Sequence, residues 1–300
     1  MRYIPEHEVR AVLRWEELIR AMEDALAAYS AGRVLQPVRS VLTIEEHKRF
    51  LGVMPAVAHD AMGLKLVSFY PVNEGSKLPT HMAVVLLFRP DTGEPLAAID
   101  GRLITEMRTA AVSAAVTARL ALPESRVLAL LGSGVQAKAH LEALSHVRRF
   151  DEVRVWSRNP EHAKRFAHEH GAVATDAERA VRGADVIVTA TNAREPVLRG
   201  SWLKPGAHVN AVGACRANWR ELDDDALRDA LVVDCREAAR SESGDVILSG
   251  ASIEAEAGEL FAGAKSIAPT RTTVFKSLGL AIEDIAAAKL VYDSALQPGA

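Results

Sequence analysis

From Trp15 to Ala31 the apolar positions Leu18, Met22, Ala25 and Tyr29 recur at helical spacing, with Glu16, Glu17, Glu23 and Asp24 between them, which predicts an amphipathic helix. Short runs rich in β-formers follow at residues 39–44, 62–70 and 82–88. Pro55, the segment 71–79 and the Pro90-Asp91-Thr92-Gly93 turn divide them, so they read as a mixed or antiparallel sheet. Thr105 is the expected cap of a helix that runs through Ala121 and stops at Pro123, with Val112, Ala115, Val116 and Leu120 as its buried stripe. Beyond Arg126 the pattern changes. Apolar runs at residues 127–131, 153–156, 186–190, 208–212 and 231–234 alternate with helical segments, as in parallel β-α units. Residues 273–277 then lead into a last helix whose Leu278, Ile282, Ile285 and Tyr292 share a face. The expected fold is α/β: a Rossmann-type doubly wound sheet over residues 122–278, and a discontinuous α+β domain made of residues 1–121 and 279–300.

Composition narrows the function classes. The 300 residues are 49% hydrophobic and 25% charged, enough for two cores. Lys and Arg total 36 against 39 acids, and a net charge of -3 gives no general attraction to nucleic acid or anionic lipid. Any anion site must be a local cluster. The opening Met1-Arg2-Tyr3-Ile4-Pro5-Glu6-His7-Glu8 turns polar too early for a signal peptide, and no apolar run approaches the ~20 residues of a membrane helix, so the expectation is a cytoplasmic protein without membrane partners. Cys215 and Cys235 lack metal-ligand spacing and are expected as reduced thiols; no metal set stands out.

The strongest chemical signal is Gly132-Ser133-Gly134-Val135-Gln136-Ala137, between the apolar run 127–131 and a helical run 136–147. Gly132 suits a tight turn, Gly134 a close approach to a pyrophosphate, and Ala137 close packing of helix on sheet. The helix amino end would receive the negative charge. An acid at the end of the next strand, about 20 residues on, would bind the adenosine ribose of NAD. Here stand Ser157, Arg158 and Asn159, a hydroxyl, a guanidinium and an amide suited to a 2′-phosphate, which predicts NADPH with NADH as the competing possibility. The alternative for Arg158 is a solvated residue at a helix start.

Three cations sit in apolar patterns. Arg108 lies on the stripe of Val112 and Ala115, in the first turn if Thr105 is the cap, where it opposes the helix dipole unless an anion lies there. Lys65 alternates with Val67 and Phe69, while Leu64 and Leu66 make the other face apolar too, so either orientation brings an ammonium near a core. Arg39 lies within Val38-Arg39-Ser40-Val41-Leu42. A salt bridge or snorkelling explains any one of them. Three in one domain point to a carboxylate pocket. His81, before the run 82–88, is a candidate for proton transfer or cofactor contact, with a hydrogen-bonded spectator as the alternative.

At these residues the chain resembles the ornithine cyclodeaminase and mu-crystallin family nearly end to end, nearest its mu-crystallin, ketimine reductase branch. The likeness is carried by Gln36-Pro37-Val38-Arg39, Leu51-Gly52-Val53-Met54-Pro55, Arg108-Thr109-Ala110-Ala111-Val112-Ser113-Ala114, the glycine turn, Val209-Asn210-Ala211-Val212-Gly213-Ala214, Trp219-Arg220-Glu221-Leu222-Asp223-Asp224, Glu242-Ser243-Gly244-Asp245-Val246 and Thr272-Thr273-Val274-Phe275-Lys276-Ser277-Leu278-Gly279. The resemblance implies a homodimer joined through the non-nucleotide domain, with a nicotinamide ring between the domains beside a small imino or amino acid. It implies that Arg39, Lys65 and Arg108 hold the substrate carboxylate with Arg216 near the ligand and His81 near the nicotinamide. Val135, Gln136, Ser157, Arg158, Asn159, Thr191, Val212 and Ser277 would line the cofactor. Where cyclodeaminases carry a catalytic aspartate this chain has Cys215, and ornithine cyclisation loses its expected base.

The expected activity is therefore NAD(P)H-dependent reduction of a cyclic ketimine carboxylate, Δ1-piperideine-2-carboxylate or Δ1-pyrroline-2-carboxylate, to the cyclic amino acid. Lys65, His81 and Arg108 are the expected catalytic groups, and burial beside two arginines should lower the Lys65 pKa. An amino acid dehydrogenase, an ornithine cyclodeaminase and a non-enzymatic NADPH-binding protein are the alternatives.

Overall fold

A computed structural model describes residues 1–46, 48–268 and 270–296. The chain forms two compact units, Met1–Arg108 with the segment from Leu280 onward, and Thr109–Gly279. The boundary expected at residue 121 marks the end of a helix; contacts divide that helix after Arg108.

The first unit holds the strands β1 (Arg2–Ile4), β2 (Ser40–Glu45), β3 (Arg49–Val57), β4 (Met62–Phe69), β5 (His81–Phe88) and β6 (Pro95–Asp100). They form one sheet in the order β1-β6-β5-β4-β3-β2, antiparallel except where β1 joins β6. Its helices are α1 (Glu6–Val12), α2 (Trp15–Ser30), the first part of α3 (Gly101–Leu120) and a C-terminal helix (Ala281–Ala295). The C-terminal helix packs on β3, β4 and β5 and against α2. Residues directly opposite in a sheet share a face. Met54, Lys65, Val85 and Ile99 are such a row, and all are buried beneath the helices. On the opposite face Val53, Leu66 and Val84, with Pro55, Leu64 and Leu86, stay half-exposed.

Three expectations change here. Pro55 does not end a strand; it lies inside β3, past the last β2 pair at Val53, where a missing N–H interrupts no ladder on that side. Arg39 stands just before β2 rather than in it. Thr105 does not cap α3, which begins four residues earlier at Gly101, where Asp100 Oδ1 accepts from Arg102 N at 3.0 Å. The Thr105 hydroxyl instead donates to Gly101 O at 2.8 Å within the helix. Gly101 is required at that start, because a Cβ would come within 2.9 Å of Ala83 Cβ.

The second unit is an eight-stranded parallel sheet: β7 (Val127–Leu131), β8 (Glu152–Trp156), β9 (Val173–Ala174), β10 (Val186–Thr189), β11 (His208–Ala211), β12 (Ala230–Val233), β13 (Ile253–Glu256) and β14 (Thr273–Lys276), in the order β13-β12-β14-β11-β10-β7-β8-β9. Each apolar run read from the sequence forms one of these strands, and residues 273–276 add β14 between β11 and β12. The strands β7, β10, β11 and β12 are almost wholly buried, as continuous apolar runs in a doubly covered sheet should be. Polar groups in this core are paired: His208 shares hydrogen bonds with Thr273 Oγ1 (2.8 Å) and Asn210 Oδ1 (3.3 Å), and Asn210 Nδ2 donates to Thr117 Oγ1 at 2.9 Å.

No helix among the described residues is long and apolar enough to cross a membrane, and no group of three or more His, Cys, Asp or Glu among them could hold a metal ion. Neither Cys215 nor Cys235 forms a disulfide among the described residues.

Candidate active site

In the first unit the cations expected from the sequence converge on the start of the C-terminal helix. Lys65 is 2% exposed, and its Nζ lies 2.5 Å from Asp284 Oδ2. Arg108 Nε donates to Asp284 Oδ1 at 3.0 Å, and its Nη1 donates to Glu283 Oε2 at 2.7 Å. Both acids are 0% exposed. Gln36 Oε1 accepts from Ile282 N at 2.8 Å, so the segment Gln36-Pro37-Val38-Arg39 is pinned to the amino end of that helix. Arg39, half-buried, lies near enough for its charge to act on Lys65.

The charges reshape one another. Burial pulls the Lys65 pKa down to about 8; Asp284 opposes the fall, and Arg108 and Arg39 add to it. Burial pushes the Asp284 carboxyl up, but Arg108 and Lys65 outweigh it and hold the group below the usual range. His81 opens β5 opposite Phe69, on the face that carries Lys65 and Val85. Burial, then Lys65 and Arg108, lower its pKa to about 4, so it is a neutral hydrogen-bonding group at neutral pH.

Arg108 lies in the cluster for a reason other than the one its spacing suggested. It sits about two turns into α3, away from the helix end, and two acids rather than a helix dipole hold it. Glu283 and Asp284 were missed by the sequence reading, which took only the apolar face of the last helix. The available signal was a pair of adjacent acids in the first turn of a helix otherwise rich in Ala, Ile and Leu.

In the second unit the glycine turn follows β7. Gly132 has φ +124°, and a Cβ there would lie 2.5 Å from Ala190 O. Its N–H donates to Trp156 O at 2.8 Å, which sets the turn beside the end of β8. Gly134 is the N-cap of α4 (Val135–Ser145), with no side-chain cap. A Cβ at Gly134 would meet nothing within 4 Å, so nothing in the fold itself excludes a side chain there. The Gln136 Oε1 atom is buried without a hydrogen-bond partner. An open approach and an uncapped helix start fit a pyrophosphate.

The other expected cofactor residues follow the carboxyl ends of adjacent parallel strands. Ser157, Arg158 and Asn159 follow β8, Thr191 follows β10, Val212 follows β11 and Ser277 follows β14. Open α/β sheets bind ligands at that edge. Arg158 is exposed and Ser157 half-buried. Asn159 Oδ1 is already used, capping the helix Pro160–His170 by accepting from Glu161 N at 3.0 Å. The Ser277 hydroxyl, 2% exposed, turns toward Asp234 Oδ2 at 3.4 Å. Arg216 lies on the loop after β11, half-buried, its carbonyl accepting from Trp219 N and Gly244 N, each at 3.0 Å. Cys215 is half-buried beside it, with no carboxylate at this position.

The sequence profile of the ornithine cyclodeaminase/mu-crystallin family matches residues 4–299. The chain is 52% identical to the ketimine reductase mu-crystallin of Mus musculus, over 97% of this chain and 96% of the mouse protein. Among solved structures, the Thermococcus litoralis Δ1-pyrroline-2-carboxylate reductase in complex with NADH and L-proline superposes with a TM-score of 0.93 at 36% identity, over 99% of this chain and 98% of that one. An archaeal alanine dehydrogenase dimer with bound NAD gives a TM-score of 0.92 at 35% identity, over 99% and 96%.

Proposed function

The chain belongs to the ornithine cyclodeaminase/mu-crystallin family, and from that premise we propose that it is a nicotinamide-dependent reductase that converts a cyclic ketimine carboxylate, such as Δ1-piperideine-2-carboxylate or Δ1-pyrroline-2-carboxylate, into the cyclic amino acid. The observation that carries this reading is the buried charge set. Lys65 and Arg108 meet Glu283 and Asp284, with Arg39 near enough for its charge to act on Lys65, a gathering of cationic groups suited to a substrate carboxylate.

Arg39 and Arg108 hold the carboxylate and so orient the ring. Lys65, protonated below about pH 8, shares its proton with the imine nitrogen and makes the adjacent carbon a better acceptor. Asp284 holds that ammonium in place. Neutral His81 supplies a hydrogen bond rather than a charge. A bound dinucleotide supplies the hydride. Gly132, Gly134, Val135 and Gln136 receive its pyrophosphate, and Thr191, Val212 and Ser277 line its further course. Ser157 and Arg158 favour a 2′-phosphate, hence NADPH over NADH. The half-exposed apolar face of Val53, Leu66, Val84, Leu64 and Leu86 supports a homodimer built on the first unit.

The same cluster suits the carboxylate of an open-chain imine, and the likeness to the archaeal alanine dehydrogenase makes amino acid dehydrogenation the second reading. The test follows absorbance loss of NADPH and NADH against cyclic imino acids, and against pyruvate with ammonia or methylamine. Turnover of cyclic imines without ammonia is expected. Turnover only with pyruvate and ammonia selects the second reading, and no affinity for either coenzyme overturns both.

A further inference from the structure

Glu221, Asp245 and Lys276 are each 0% exposed in the second unit, and the chemistry above uses none of them. Their bonds converge on two loops. Glu221 Oε2 accepts from Thr189 Oγ1 (2.9 Å) and Gly213 N (2.9 Å), and its Oε1 accepts from Thr191 N (2.6 Å) and Thr191 Oγ1 (2.7 Å). One carboxylate therefore ties together the loops that leave β10 and β11. Lys276, the last residue of β14, donates to Gly213 O and lies 3.1 Å from Asp245 Oδ2. Asp245 Oδ1 accepts from Glu221 N (2.8 Å) and Leu222 N (3.0 Å), fixing the backbone that carries the carboxylate.

Gly213 thus has its N–H held by a buried anion and its carbonyl by a buried cation. It also admits no side chain, since a Cβ would lie 2.2 Å from Thr191 O and 2.5 Å from Glu221 Oε1. The residue after it, Ala214, has φ +53°, and among the described residues it is the one non-glycine with positive φ. That conformation is strained for an alanine and persists only where its surroundings over-determine it. Buried ions are a weak source of stability, because desolvation cancels much of their attraction. These spend their bonds on the backbone of two loops, and the strained residue leads directly into Cys215 and Arg216.

We propose that Glu221, supported by Lys276 and Asp245, is a positioning residue that holds the Gly213-Ala214 turn in its left-handed form and thereby sets Thr191, Cys215 and Arg216 in place at the dinucleotide edge of the parallel sheet. The proposal rests on the reductase reading above. Glu221→Gln places an amide donor against four donors and lowers both melting temperature and kcat. Glu221→Asp recovers part of each. Ala214→Gly separates positioning from stability: it relieves the strain, so the melting temperature holds or rises, while the freed turn lowers kcat by on the order of tenfold. The two substitutions are also coupled. Ala214→Gly leaves the melting temperature of the parent protein unchanged or higher but lowers it in the Glu221→Gln background, where the strain is already released and only the entropy cost of glycine remains.

Unchanged kcat in Ala214→Gly, or melting-temperature effects that simply add, would overturn the proposal. The coupling in melting temperature needs no turnover, so it is read even if the reductase activity proves absent.

Discussion

The ammonium of Lys65 and the carboxylate of Asp284 meet at 2.5 Å although 219 residues separate them in the chain. Asp284 is the attraction that opposes the burial of Lys65, so Asp284→Asn leaves burial, Arg108 and Arg39 to pull the lysine below about 8. The expected result is a basic limb of the kcat/KM profile shifted to lower pH, with the KM for the imino carboxylate raised on the order of tenfold at neutral pH. Asp284→Glu should restore part of both. A limb that stays in place in Asp284→Asn would remove Asp284 from this role.

In the parent protein, binding of an anionic analogue should track the same lysine. Lys65 is charged below its pKa and neutral above it, so affinity for pyrrole-2-carboxylate, an anion with no basic nitrogen, measured by calorimetry, should fall as pH rises through about 8. Affinity independent of pH across that value counts against a charged Lys65 beside the bound anion.

Arg108→Glu reverses the charge held by Glu283 and Asp284, leaving three buried carboxylates together. The KM should rise by at least about a hundredfold, with a lower melting temperature, whereas Arg108→Lys should retain the fold and part of the binding. Steady-state kinetics of both variants check this. Unchanged kinetics in either variant would refute the assignment.

Acid should weaken the second unit through two histidines. Burial is the main cause that lowers His140 and His208 to about 4, well under the 6.5 expected when unfolded. The folded state therefore favours their neutral forms. That stability is complete above pH 6.5 and is lost as pH falls toward 4, at most on the order of 3 kcal/mol for each residue. Melting temperature followed over this range should drop steeply, and His208→Asn should flatten the slope.

Coenzyme preference should reside in Arg158. Arg158→Ala is expected to raise the KM for NADPH about tenfold or more while leaving that for NADH nearly unchanged. A ratio of the two constants equal to that of the parent protein would place the discrimination elsewhere.

The open sheet face gives a further test. Leu66→Glu places a charge in the row with Val53 and Val84 and should yield monomers in sedimentation, whereas a dimer that survives it uses another surface.

What the sequence disclosed follows from distance along the chain. The turn Gly132 to Ala137 was legible because strand, glycines and helix form one local segment, so each residue's reason lies within a few positions of it. Lys65 was legible as an anomaly, an ammonium in a strand apolar on both faces, but not which face it took, because the helix that decides this is encoded at the far end. Glu283 and Asp284 were hidden for the same reason. Glu221 was visible only as part of a family motif, since its partners Thr191 and Gly213 are loop backbone brought together by the parallel sheet. Pro55 misled because strand rules penalise proline without knowing that its neighbour strand has already ended.

The split of the first unit across the chain carries a consequence for biosynthesis. Lys65 and Arg108 leave the ribosome long before Glu283 and Asp284, and the whole second unit is translated in between. Until the closing helix docks, those cations lack Glu283 and Asp284, and β3, β4 and β5 lack the helix that packs on them. A nascent chain can therefore complete the second unit first, and the cluster of Lys65, Arg108, Glu283 and Asp284 is assembled only once the closing helix has been made.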